Sequence, residues 1–232
     1  MLAMKWLGIN WRQSVAEFVV IVFGVLAALA IDQWWTERED RNTEAEYISR
    51  IRADLQSDID GFLWFEEIFE IKANVIRGLR DYPDSDLLSR DQETLMQELV
   101  FSGFTSMPDS FSTTFDELVS TGRLALVDSA EQRDALSRYY SGFENISAIV
   151  FEPEGEYKRV LWESFPAEFL DRDSKKLNSI DPAVFSEGLE GLLADSRLRA
   201  AANAEIVYAD MLVSYSSQFR IRAEQLLKLL EE

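Results

Sequence analysis

Two carboxylates one helical turn apart can divide acid–base work when burial or mutual repulsion moves one of them toward neutrality. Asp54 with Asp58, and Glu66 with Glu70, have that spacing. In a chain with 42 acidic residues such pairs arise by chance, and spacing alone makes no cleft. The run Gln56-Ser57-Asp58-Ile59-Asp60-Gly61, with Leu63 and Glu67 behind it, matches part of an EF-hand calcium loop. Its first position is Gln56 where Asp is usual. An EF loop must also leave the helix, whereas Leu55, Ile59 and Phe62 keep helical spacing. A solvated acidic face, with Gly61 allowing close packing, is the expectation.

The sequence contains no His and no Cys. That removes disulfides, thiolate and imidazole metal sites, Cys nucleophiles and His general bases. Di-iron sites of the ferritin type need Glu-x-x-His. No Ser-x-x-Lys occurs, Ser164 has no partner in view, and no glycine-rich phosphate loop is present. No catalytic, cofactor or metal residue is therefore assigned, and a non-enzyme is expected. The net charge of -19, from 23 Lys+Arg against 42 Asp+Glu, argues against nucleic acid, which is held by clustered Lys and Arg. Phe62, Trp64, Phe65, Phe69, Phe101, Phe104, Phe111, Phe115, Tyr139, Tyr140 and Phe143 could line a pocket between helices. At helical spacing they read first as core.

The elements that carry these residues begin with an apolar run. Phe18 to Ile31 holds fourteen consecutive residues without a charge, closed by Glu17 and Asp32. Fourteen helical residues rise about 21 Å, short of a hydrocarbon core of roughly 30 Å. Val15 and Ala16 lengthen the run on one side, and Trp34 and Trp35 follow it on the other, where tandem Trp suits the lipid–water interface. The reading is a short tail (1–14), a single membrane anchor (15–35) and an acidic α-helical domain (36–232). Two other readings stay open. Lys5, Arg12 and the small-x-small stretch Ala28-Leu29-Ala30 suit a cleaved signal peptide, and an apolar run can also be a central core helix.

Lys5 and Arg12 on one side balance Arg38 and Arg41 on the other, so charge does not decide orientation. A short tail before a signal anchor places the N-terminus in the cytoplasm and the domain outside it. Within the anchor, Gly24 and Ala28 are a small-x-x-x-small pair, and Glu17, two turns earlier, falls on the same face. Besides the bilayer, the expected partner is a second helix, from another copy of the chain or from another membrane protein.

Further on, Ile48, Ile51, Leu55, Ile59, Phe62, Phe65, Phe69, Ala73, Ile76 and Leu79 form one apolar stripe, ending at Asp81-Tyr82-Pro83. Ser89 with Gln92 predicts a capping box for a helix to Gly103. Phe111, Phe115, Leu118 and Val119 mark another, closed by Gly122. Ser129 with Gln132 opens a third, carried by Leu136, Tyr140, Phe143 and Ile146 and interrupted at Pro153. Phe165 to Pro182 reads as the longest irregular connection, with Asp181-Pro182 as a helix start. The last helix spans about Ser196 to Leu230, with Leu198, Ala202, Ile206, Ala209, Leu212, Phe219, Ala223, Leu226 and Leu230 inward. The prediction is an all-α protein with three long helices and shorter ones packed on them.

Two stretches carry a resemblance. One is Trp11-Arg12-Gln13, Glu17, Val22 to Ala30, Asp32-Gln33-Trp34-Trp35 and Glu37-Arg38. The other is Phe115 to Val127, followed by Leu136 and Tyr139-Tyr140. Together they resemble a large bacterial family of single-span membrane proteins with a helical extracytoplasmic domain of unknown function. The resemblance implies a bacterial membrane anchor and supplies no activity or catalytic residue. Three classes of function follow: a protein-interaction or scaffold module first, then a small-molecule sensor domain on an anchor, then a carboxylate-based hydrolase or lyase.

Overall fold

The computed structural model describes residues 11–105, 109–150, 155–165 and 181–231. Lys5, the expected interruption at Pro153 and most of the connection between Phe165 and Pro182 lie outside them. The described residues form seven α-helices and no strand. They are α1 (Trp11–Arg80), α2 (Gln92–Ser102), α3 (Thr113–Ser120), α4 (Ala130–Val150), α5 (Glu156–Ser164), α6 (Pro182–Ala194) and α7 (Leu198–Leu229).

Helix α1 has 70 residues and a length of about 105 Å. No Pro interrupts it, and its two interior glycines before the last turn, Gly24 and Gly61, are tolerated at a cost of about 1 kcal/mol each. The expected boundary between anchor and domain at residues 35 and 36 is thus not a break in the chain's course. What the helix touches changes further on, after residue 42. Through residue 42 every side chain described is exposed except Ala27, whereas Tyr47, Ile51 and Leu55 are buried. Helix α1 ends where the sequence predicts, just before Pro83, with Arg77 and Arg80 in its last turn favouring the negative helix end.

The packed half of α1 lies antiparallel to α7. Arg52 pairs with Glu231, Glu66 with Arg220 and Arg77 with Asp210, so residue numbers on α7 fall as those on α1 rise. Between these flanking pairs runs a seam in alternating steps of four and three: Ile51, Leu55, Asp58, Phe62, Phe65, Phe69, Lys72, Ile76 and Leu79. Helix α7 answers with Leu198, Ala202, Glu205, Ala209, Leu212, Ser216, Phe219, Ala223, Leu226 and Leu230. All these side chains are buried except the half-buried Phe65. A period of 3.5 residues keeps the two seams facing one another, as in a coiled coil.

Shorter helices divide the core into two ends. Near the exposed half of α1, helices α3 and α4 cover Tyr47 to Phe62 and Phe219 to Leu230. At the far end α2, α5 and α6 cover Val75 to Leu79 and Leu198 to Ile206. Phe69 and Leu212 join the two. The nine inward positions expected on the last helix are all buried. Phe111 and Val119, by contrast, face solvent, and Phe111 precedes α3.

Local signals are partly as expected. Gly122 follows α3 with φ of 72°, a conformation that disfavours any other residue. The Gln132 N–H donates to Ser129 Oγ at 3.3 Å, but the Gln132 amide reaches across to Leu229 O at 3.0 Å, so only half of the capping box forms. Ser89 does not cap α2. It lies in a 3₁₀ turn, and Asp91, extended and directly before the helix, accepts from Thr94 N–H at 2.9 Å. Asp181 caps α6, with Pro182 as its first residue. Helix α5, which no cap or stripe announces, packs against α6 where Gly188 lacks a side chain. A Cβ there would lie 2.5 Å from the Phe165 ring.

Candidate functional site

Three places in the fold are chemically distinctive: the uncovered half of α1, and two carboxylates buried inside the domain. The first begins with the apolar side chains of residues 15–35. In the most apolar window of α1 nothing is buried, and among the described residues this is the one helix long and apolar enough to cross a membrane. Phe18 and Phe23 are 67% and 72% exposed, an arrangement that water disfavours and hydrocarbon accommodates. Glu17, Gly24 and Ala28 are all exposed, and a Cβ added at Gly24 meets nothing within 4 Å. At the other end Trp34 and Trp35 stand edge to face, 6.4 Å between ring centroids, and the Arg38 guanidinium lies 5.7 Å over Trp34. From Thr36 to Asn42 the helix is polar and uncovered. Its first tie to the domain is Glu44, whose carboxylate accepts from Asp128 N–H at 2.6 Å.

The second place is Asp58, 2% exposed. Its Oδ1 accepts from Phe111 N–H at 2.7 Å, and its Oδ2 accepts from Ser110 Oγ and Tyr139 Oη, each at 2.8 Å. Helix α1, the segment before α3, and α4 thus converge on one carboxylate. Burial pushes its pKa up; the Phe111, Tyr139 and Ser110 hydrogen bonds pull it back, and the nearby Asp54 adds to the rise. Burial, helped by Asp58, pushes the Tyr139 phenol up as well, so it stays protonated and donating.

This geometry corrects the sequence reading. Gln56 to Gly61 remain helical, so no calcium loop forms. Nor is Asp58 part of a solvated face, and Gly61 does not serve close packing inside the domain, since nothing lies within 4 Å of an added Cβ. Among the described residues, no three Asp or Glu side chains are placed to hold a metal. Asp54 and Asp58 do share one side of α1. Both oxygens of Asp58 are already engaged, which makes it a tie between segments. Glu66 is taken by Arg220 at 2.8 Å, and Glu70 is exposed.

The third place is the pair Lys72 and Glu205, 0% and 4% exposed. The Lys72 ammonium contacts Glu205, donates to Phe104 O and lies 5.6 Å from the centroid of Tyr208, whose hydroxyl donates to Thr105 O at 3.0 Å. No apolar stripe predicts these two residues. The aromatic set is mostly core: Phe62, Phe69, Phe115, Tyr139, Tyr140 and Phe143 are buried, with Phe62 5.9 Å from Phe143 and Phe115 stacked 4.5 Å from Tyr140. Trp64 stays half exposed, edge-on to Phe65 and Phe104. Comparison of the chain with protein-family models, with curated proteins and with solved structures gives no match.

Proposed function

We propose that the chain is a bacterial single-pass inner-membrane protein of the family it resembles, with its N-terminus in the cytoplasm and its acidic domain outside. In this reading it works as a protein-interaction or scaffold module, not as an enzyme. One observation carries it: α1 leaves a fully uncovered apolar half on one side and enters a packed seam on the other without a break. Such a half-helix has no role in the domain's own core. The uncharged stretch from Phe18 to Ile31 suits hydrocarbon, and Glu17 and Asp32 fall toward the two interfaces, where a carboxylate costs far less than at the centre. The small-x-x-x-small spacing of Gly24 and Ala28, on a face that nothing in the chain covers, leaves room for a second helix along Glu17, Gly24 and Ala28.

Two measurements test it. Fractionation with N-terminal sequencing should find an intact chain in the membrane; a soluble product beginning near Ile31 would refute the anchor. In a membrane two-hybrid or crosslinking assay, Gly24→Ile should weaken association by about 10-fold, the order expected for losing a close helix contact. Val19→Ile, on the opposite face of the helix, should not. Equal association of both variants and the parent would remove the anchor as a contact surface.

A further inference from the structure

The groove between α4 and α7 has a chemistry opposite to the rest of the molecule. Its volume is about 520 Å³, within the range of small-molecule sites. Its polar lining consists of Arg138, Arg222 and Gln225 beside the Tyr139 ring, and no carboxylate contributes to it, in a chain where acids outnumber bases 42 to 23. Among the described residues neither arginine forms an ion pair, Asp134 one turn before Arg138 included. Arg222 is nonetheless held in place. Its guanidinium lies 5.1 Å from the Phe219 ring and beside Gly142, where an added Cβ would stand at an ordinary contact distance of 3.7 Å from its Nη1. Two guanidiniums lining one groove with no carboxylate beside them leave it electropositive, which favours an anion there.

The groove is also polarised along its length. Arg222, Leu226 and Leu229 follow one another in steps of four and three on one face of α7, a distance of about 10 Å from first to last. Helix α4 runs the other way beside it, with Gly142 near Arg222 and Gln132 bonded to Leu229 O. Arg138 therefore lies midway, level with Gln225, and Ala135 lies toward Leu229. From Arg222 to Arg138 and Gln225 the lining donates hydrogen bonds and positive charge, and beyond them the half-buried Ala135 and Leu229 add apolar surface, with the buried Leu226 behind. The Tyr139 ring in the floor is fixed by its hydroxyl on Asp58.

We infer that this groove binds a single-chain amphiphile with a carboxylate head, the head between Arg138 and Arg222 and the alkyl chain along Ala135 and Leu229. The probe is octanoate, titrated calorimetrically into the full chain held in zwitterionic lipid nanodiscs, with empty discs subtracted. Saturable binding of one octanoate per chain is expected. Arg138→Gln and Arg222→Gln should each weaken it about 10-fold, the loss that follows from removing one charged hydrogen bond. Acetate, which lacks the alkyl chain, and octyltrimethylammonium, which lacks the anion, should each bind at least about 10-fold more weakly. Both arginines are exposed, so the variants should unfold at the parent's urea concentration, which separates lost binding from lost folding. Octanoate heats equal to those of empty discs would overturn the proposal. So would parent-like binding by both variants, acetate as tight as octanoate, or binding only by an acidic peptide offered in its place.

Discussion

Asp58 and Glu205 are both buried carboxylates on the seam between α1 and α7, and the protein accommodates them in opposite ways. Asp58 meets three neutral donors, brought by a loop and by α4. Glu205 meets a cation, Lys72, carried by the facing helix. Neutral donors leave a net charge inside the domain, which is why burial still raises the Asp58 pKa. An ion pair cancels the charge but requires both partners, since either one alone is an uncompensated buried ion. The first arrangement gathers separate segments around a point. The second specifies which residue of α7 stands opposite which residue of α1, the role a polar residue plays in the seam of a coiled coil.

Breaking the ion pair should give the largest effect. Lys72→Met leaves Glu205 buried alone, and urea unfolding of the full chain in detergent should show a loss of about 3–5 kcal/mol. Adding Glu205→Met should recover most of it; failure to recover would mean that Lys72 acts through Phe104 and Tyr208 instead. Asp58→Ala comes next, at about 3 kcal/mol, because three donors lose their acceptor at roughly 1–3 kcal/mol each before relaxation. Tyr139→Phe removes one donor and should cost about 1–1.5 kcal/mol.

The smallest effect is the dependence on pH. Between the ordinary Asp value and the raised value in the fold, the folded chain holds the Asp58 proton more firmly than the unfolded chain does. This contribution to stability is complete below the ordinary Asp range and fades as the pH rises through the folded value. The stability of the parent minus that of Asp58→Asn should therefore fall as the pH is raised from about 3.5 to 7. Tyr139→Phe, which removes a bond favouring the anion, should extend the fall to higher pH. A gap that widens with rising pH would contradict the assignment.

The frame of the fold was legible because burial on a helix has a period. The apolar stripe from Ile51 to Leu79, the nine inward residues of α7, the stop before Pro83 and the Asp181 cap all follow from spacing and local backbone chemistry. The two polar seam sites left a fainter trace. Steps of four and three from Ile51 land on Asp58 and Lys72, and the same steps from Leu198 land on Glu205 and Ser216. A stripe traced through apolar residues alone passes by way of Ile59 and Ala73, which are also buried, and so conceals that register. What each polar residue meets could not be read at all. The donors to Asp58 come from 52, 53 and 81 positions away, and no local pattern encodes such contacts. The α4–α7 groove was hidden for the same reason, since its two arginines lie on different helices.

The unbroken passage of α1 from its bare half into the domain has a mechanical consequence. A helix transmits twist, so the direction in which Gly24 faces determines the compass bearing of everything mounted above it, the groove included. Two copies joined along Gly24 would hold their domains at a set mutual angle instead of swivelling on tethers. One extra residue in the stretch between Trp35 and Glu44 would raise the domain by only about 1.5 Å yet turn it through about 100°, whereas seven would return it to nearly its starting bearing. The coupling between anchor and domain thus has a phase, and insertions of one to seven residues would read it out as a rotation more than as a change of height.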